Sequence, residues 1–338
     1  MRTMRNEEFS SPVICNGFGE ESQGLEDNNG NIEVFSKDPY NLPPMPPGLQ
    51  PLKHQLAGHK FGDRKHTCGY GILDCGDGTI LKPVMTTSSK GQRERYFYDI
   101  VNGGTTPNPY FDVASYEPDI FRKLKRFTPV FKGFVSLPEH PDVVYIKMVD
   151  ATHSFLRSHV MDIKIGAQAW EPYASEAKIN RQKSRCKYLS EICFQVVGAK
   201  YYSIKTGEET FKLDLRTYNP HDLLHSGLYE IFAGVVAGAR SVLLELILAD
   251  LQEFADWFAS QRTLSFRGSG VLIAFETDEQ KLNSCLQHGK SAFRDMLQVK
   301  LIDFVHVWET DSLDSNYIEG LSSVIKYFTA LSELFNIS

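Results

Sequence analysis

Two rhythms of apolar residues run along the chain from about Leu49, one of period two and one near 3.6. The period-two stretches predict strands. In His159-Val160-Met161-Asp162-Ile163-Lys164-Ile165-Gly166, Met161, Ile163 and Ile165 fall on one face and Asp162 and Lys164 on the other. Gly69 to Pro83 predicts a hairpin turning at Asp77-Gly78, with Lys82 near its end. Val143 to Ala151, Ser190 to Ile204, Phe266 to Glu276 and Val299 to His306 have strand character as well. The helical rhythm appears in Gly91 to Asn102, Ile120 to Phe127, Ser175 to Tyr188, Leu228 to Gln261 and Tyr317 to Phe335. Glu171-Pro172 is suited to opening the third of these, because proline is tolerated in a first helical turn. The alternation predicts an α+β fold.

Residues 1–48 interrupt neither rhythm, because they carry none: Glu, Asp, Asn, Gly and Ser dominate, followed by a proline-rich run from Leu42 to Gly48. A mobile tail and a stiff, extended lead-in are expected. Across 338 residues the net charge is -6, which argues against general nucleic-acid binding while leaving room for a local basic cluster. The six cysteines form no C-x-x-C pair and no ligand-like grouping with histidine, so reduced thiols and no structural zinc are expected. The start lacks the apolar core of a signal peptide, and Glu230, Arg240 and Glu245 interrupt the most apolar run. No transmembrane segment is expected, and a nuclear and cytoplasmic location follows.

The candidate chemistry lies where charges punctuate the strands. On spacing alone, Asp162 and Lys164 describe a half-buried strand bearing an exposed ion pair. Asp303, ending a second apolar strand, adds a carboxylate, and together these groups are what holding Mg²⁺ and a polyphosphate requires. Glu94 can orient Lys82 from the first helix, or remain an exposed helix glutamate. Lys178, Arg181, Gln182 and Arg185 recur at i, i+3, i+4 and i+7, making either a solvated basic face or a grip for several phosphates. Lys183 and Lys187 fall elsewhere on that helix.

Asp162-Ile163-Lys164-Ile165-Gly166 resembles the Asp-x-Lys-x-Gly signature of the inositol polyphosphate kinases, and Ile302-Asp303-Phe304-Val305-His306 is similar to their Ile-Asp-Phe-Ala-His motif. His54-Gln55-Leu56-Ala57-Gly58-His59 and Asp314-Ser315-Asn316-Tyr317-Ile318-Glu319-Gly320-Leu321 point within that family to its multikinase branch. The resemblance implies a two-lobed, protein-kinase-like fold. Residues 49–151 would form a lobe built on an antiparallel sheet, and 152–338 a larger α+β lobe with an inositol-phosphate-binding helical segment at 170–235.

It also implies ATP-dependent phosphorylation of inositol tris- and tetrakisphosphates, with ATP and Mg²⁺ as cofactors. Lys82, Val149, Ala151, Asp162 and Asp303 would bind the nucleotide, Val149 and Ala151 through their backbones. Asp303 would hold the metal and Lys164 the transferred phosphoryl. Lys164, Lys178, Arg181, Gln182, Arg185, Lys200 and His306 would bind the acceptor, with His306 reaching it only if the chain turns after Phe304. Phosphoinositide lipid headgroups are a candidate further partner, their use as acceptors left open, and a monomer is expected as the working form. The chain departs from the family at Val149 (usually glutamate), Ser158 (proline), Lys200 (arginine) and Gly270 (serine). Two alternatives stay open: a hexakisphosphate kinase or trisphosphate 3-kinase of the same family, and a catalytically weak scaffold that binds polyanions or partner proteins.

Overall fold

The computed structural model describes residues 43–337 except 57–59, 63–68, 118, 172 and 213–214. Most of the expected N-terminal tail lies outside the described residues, as do Ala57, Gly58 and His59 of the entry motif, Cys15, Cys68 and Pro172.

Alternation in the first half produces one antiparallel sheet, in the order β1 (Gln50–Pro51), β2 (Leu73–Asp74), β3 (Thr79–Met85), β5 (Val143–Val149) and β4 (Phe131–Ser136). The hairpin is the expected one. A Cβ on Gly78, whose φ is +82°, would lie 2.6 Å from the His153 ring, so the turn demands glycine for conformation and for space. Strand β4 was not apparent from the sequence: its register shifts between Phe131 and Gly133, which breaks the period-two pattern. Helix α1 (Ser89–Val101) starts at the Ser88 side chain, which accepts a hydrogen bond from the Gly91 N–H, and it buries Glu94, Phe97, Tyr98, Ile100 and Val101. Helix α2 (Asp119–Phe127) buries Ile120, Leu124 and Phe127 and leaves its four basic residues exposed.

The second sheet runs β11 (Leu297–Ile302), β10 (Gly270–Glu276), β6 (Ser158–Ile165), β7 (Phe194–Tyr202) and β8 (Glu209–Lys212), again antiparallel. The signature strand β6 is central, and all but one of its residues are buried. Its polar face is therefore covered, in contrast to the half-buried strand that alternation alone described. Two expected strands end early. The stretch from Phe266 divides at Gly268 (φ +66°) into β9 (Leu264–Phe266) and β10, and β11 stops at Ile302, with β9 pairing instead with β12 (Val307–Glu309). Segment 170–235 is not purely helical, since β7 and β8 belong to the central sheet.

Short helices α3 (Glu176–Arg185) and α4 (Leu189–Ile192) precede β7; α5 (Pro220–Asp222), a π-helical turn (Leu223–Leu228) and α6 (Tyr229–Ala233) follow β8. Helix α3 begins not at Glu171 but at Ser175, whose hydroxyl accepts from the Lys178 N–H (3.3 Å). The long apolar segment becomes α6 and α7 (Ala237–Ser260). Helix α7 packs against α9 (Ser315–Ile337), while α8 (Glu279–His288) leads towards β11. No helix among the described residues is long and apolar enough to cross a membrane.

One core joins both sheets. Phe97 of α1 meets Phe304 (4.8 Å between ring centroids) and Phe266 (5.9 Å), so the helix of the first lobe is anchored in the second.

Candidate active site

The face of β6 that carries Asp162 and Lys164 meets Asp303, which follows the end of β11 and is also bonded to Lys82 of the first sheet. Asp303 adopts a left-handed conformation (φ +63°), which aspartate tolerates better than most residues and which turns the chain sharply before His306. Two lysines hold its carboxylate. Lys82 Nζ, from β3 of the other lobe, donates to Asp303 Oδ1 (2.7 Å), and Lys164 Nζ donates to Oδ2. Lys82 also donates to Glu94 Oε1 (2.7 Å), and the same oxygen accepts from the Phe304 N–H (3.0 Å). Glu94 thus orients the lysine and pins the residue following the left-handed turn. It is the orienting carboxylate, buried at 3% exposure, rather than a solvated helix glutamate.

Burial raises the free energy of every charge here, yet the pairings prevail. For Asp303, desolvation works to raise the pKa, but Lys164 and Lys82 outweigh it and hold the carboxyl well below the usual range. Lys82 and Lys164 are likewise pushed down by burial and pulled up further by the carboxylates, Asp303 chief among them for Lys82 and Asp162 for Lys164. Asp162 differs: burial raises its pKa in spite of Lys164, 3.5 Å away. Its Oδ1 accepts no hydrogen bond, and neither does the fully buried Ser269 hydroxyl. Such unsatisfied oxygens are costly unless a ligand or water completes them.

Gly270 explains part of this. A Cβ there would stand 2.8 Å from the Ile163 carbonyl and 3.1 Å from Asp162 Oδ1, so the carboxylate occupies ground that the family's second serine would need. Opposite, a bulge in β7 shifts the register between Asp162 and Ile163, adding local twist beneath the two charges. The Asp314 motif acts from below. Asp314 accepts from Arg267 Nη1 (2.8 Å) and from the Phe266 N–H (2.6 Å), Asn316 accepts from the Gln168 N–H (2.7 Å), and Gly320 lets α9 close on Gly166. It fixes the loop that ends the signature strand.

At the end of β5 the Val149 N–H donates to the Val130 carbonyl (2.9 Å), so any contact Val149 makes with an adenine edge falls to its carbonyl. Ala151 follows in the turn between the lobes.

The residues expected to bind the acceptor divide. Lys178, Arg181 and Gln182 are half-buried on α3, Arg185 is exposed at its last turn, and none of the helix is fully buried. Lys178 Nζ donates to both oxygens of Glu171 (2.5 Å each); His306 Nε2 lies 4.0 Å and Lys90 Nζ 3.8 Å from that carboxylate. Burial lowers the His306 pKa to about 4, although Glu171 opposes it. For Glu171, burial is outweighed by the Lys178 bond, a backbone bond and His306, which together lower its pKa to about 2.

Lys200 does not join them. It is 2% exposed, donates to Ser158 Oγ (2.9 Å), pairs with Glu209 (3.4 Å), and lines a cavity of about 300 Å³ beside the interlobe turn with His54, Asp150 and Tyr202. Two departures from the family, Ser158 and Lys200, are thus bonded to one another. Sequence reasoning missed Glu171, which it read only as a helix opener, and Lys90; neither lies on a periodic face that would have singled it out.

Among the described residues no three His, Cys, Asp or Glu side chains cluster as a metal cage. Asp303, one-third exposed to the cleft, suits an ion that takes one or two carboxylates and completes its shell with phosphate oxygens and water.

A family model for inositol polyphosphate kinase matches residues 145–329. The chain is 28% identical to human inositol polyphosphate multikinase over 259 residues, covering 76% of this chain and 58% of that protein. It is 30% identical to the mouse multikinase over 248 residues, 70% of this chain and 57% of that one. The Arabidopsis thaliana multikinase beta is 27% identical, with 82% and 92% covered. The chain therefore spans somewhat over half the length of the mammalian relatives and nearly all of the plant one. Among solved structures, the S. cerevisiae inositol phosphate multikinase in complex with ADP and Mn²⁺ shares the fold, with a TM-score of 0.57 and 20% identity over 75% of this chain and 98% of that one.

Proposed function

The chain belongs to the inositol polyphosphate kinase family, and from that premise we propose that it transfers the terminal phosphate of ATP to hydroxyls of inositol tris- and tetrakisphosphates. The observation that carries this reading is Asp303, held on a left-handed turn between a lysine from each lobe. A carboxylate and two ammonium groups fixed before ligand arrives are what a loose phosphoryl-transfer transition state needs, because its catalysis is mostly alignment and charge stabilisation.

In this reading Asp303 would hold Mg²⁺, and Lys82 contacts the nucleotide phosphates, oriented by Glu94. Asp162, whose Oδ1 accepts no hydrogen bond, takes the ribose, while the Val149 carbonyl and the Ala151 N–H take the adenine edge. Mg²⁺, when bound, neutralises phosphate oxygens. Lys164 orients the transferred phosphoryl, and no strong general base is required. Lys178, Arg181, Gln182, Arg185 and His306 face the acceptor. Lys200 is left at the hinge-side cavity. The inositol polyphosphate multikinase names of the relatives support inositol polyphosphates as acceptors, and the family resemblance narrows these to tris- and tetrakisphosphate. Lipid headgroups, a monomeric state and a nuclear and cytoplasmic location extend the proposal from the family resemblance alone.

The test is phosphate transfer from labelled ATP with Mg²⁺ to inositol 1,4,5-trisphosphate, with tetrakis- and hexakisphosphate in parallel. Conversion of the trisphosphate to pentakisphosphate is expected, with a loss of at least about 100-fold in Asp303→Asn. Transfer to hexakisphosphate alone would place the chain on the family's pyrophosphate-forming branch, and transfer to none would leave a polyanion-binding scaffold.

A further inference from the structure

The carboxylate of Glu171 is the common centre of three segments: Lys90 at the start of α1, Lys178 on α3 and His306 in the turn beyond β11. Its side chain is 16% exposed and belongs to no helix. An ordinary surface pair engages two long side chains and little else. Here both oxygens engage Lys178 at 2.5 Å while a second ammonium and an imidazole stand within 4.0 Å, an arrangement of the kind that receives a phosphate.

We propose that Glu171 is a resident anion of the acceptor pocket, holding the place of one phosphate and thereby selecting acceptors that carry a free hydroxyl at that position. The proposal rests on the acceptor reading of this pocket given above. A ring hydroxyl entering beside Glu171 can donate to the carboxylate and leave its bond to Lys178 intact. A phosphate entering there must draw Lys178 and Lys90 away from Glu171 while lying against a like charge, which is unfavourable. Lys178 then has two alternative anions, one built into the chain and one brought by the ligand, and the position of the ligand's phosphates decides between them.

The test measures binding of inositol 1,4,5-trisphosphate and of inositol hexakisphosphate, which carries a phosphate at every position, to the full chain by calorimetry. Wild type, Glu171→Gln and Glu171→Asp are compared, with thermal unfolding to verify folding. In Glu171→Gln, hexakisphosphate should bind about tenfold more tightly while trisphosphate changes by less than about threefold. Glu171→Asp, which keeps the charge, should stay within about twofold of wild type in the ratio of the two affinities. Glu171→Ala carries the same expectation as the glutamine variant and replaces it should that variant misfold. If Glu171 merely props Lys178 in place, both ligands weaken together, and that result, or an unchanged ratio, overturns the proposal. Wild-type protein that binds neither ligand would overturn the acceptor reading itself, and the proposal with it.

Discussion

The charges around Asp303 and those around Glu171 are neighbours in one cleft, built in different ways. The Asp303 group joins both lobes through linked pairs: Lys82 bridges Glu94 and Asp303, Lys164 bridges Asp303 and Asp162, and the buried Glu94 accepts from the Phe304 N–H. Phe97, next in space, anchors α1 in the shared core, so the carboxylate that orients Lys82 moves only if that core moves. The Glu171 group centres on the connection ahead of α3 and on α3 itself, which buries no residue, with Lys90 of α1 and His306 reaching in at 3.8 and 4.0 Å. Reacting atoms need fixed geometry, whereas a pocket that must take ligands with different phosphate patterns needs side chains that can exchange partners. The first is tied to the shared core through Glu94 and the Phe304 N–H, and the second rests on ion pairs between a loop and a helix that buries no residue, whose partners can be exchanged.

The largest test of that contrast is Lys164→Ala. Loss of the central ammonium should lower kcat by at least about 100-fold while acceptor KM changes less than about threefold, measured by steady-state kinetics on a folded variant. A large rise in KM with kcat preserved would shift Lys164 from the reacting centre to the acceptor grip.

Glu94→Gln asks whether the Asp303 group is one unit with the core. Removing that carboxylate leaves Lys82 with a single partner and weakens the tie to Phe304, so unfolding in urea should show a loss of about 2 kcal/mol. Phosphate transfer should fall about tenfold alongside. A variant as stable as wild type would mean that the left-handed turn at Asp303 is held by packing alone.

The smallest effect is expected on the acceptor side, from His306. Its folded pKa of about 4 lies below the ordinary 6.5, so the unfolded chain binds the extra proton first as pH falls. The associated stability is fully present above 6.5 and is lost progressively towards 4. Between pH 7 and pH 5.5 wild type should lose about 1 kcal/mol more than His306→Gln. Equal losses would show that the imidazole is already solvated.

Much of the Asp303 group was legible in the chain because its members lie in or at the ends of regular strands. Alternation through Met161, Ile163 and Ile165 put Asp162 and Lys164 on one face, and the apolar run ending at Asp303 put a carboxylate at a strand terminus. The helical spacing of Lys178, Arg181 and Gln182 also placed them together. Local rhythm misleads where it is broken: Gly133 hides β4, Gly268 splits a strand expected to be continuous, and Ser175 caps a helix that Glu171-Pro172 is suited to open. Periodicity tells which side of an element is covered, but not what covers it. That Glu94 and Lys82 would meet an aspartate 221 residues beyond Lys82, that Lys200 would turn to Ser158 at the hinge side, and that Glu171 would draw three segments to itself depended on how the two lobes close. Pairings of this kind come from long-range packing that brings buried charges close enough to offset their desolvation, and no spacing along one strand or helix records it.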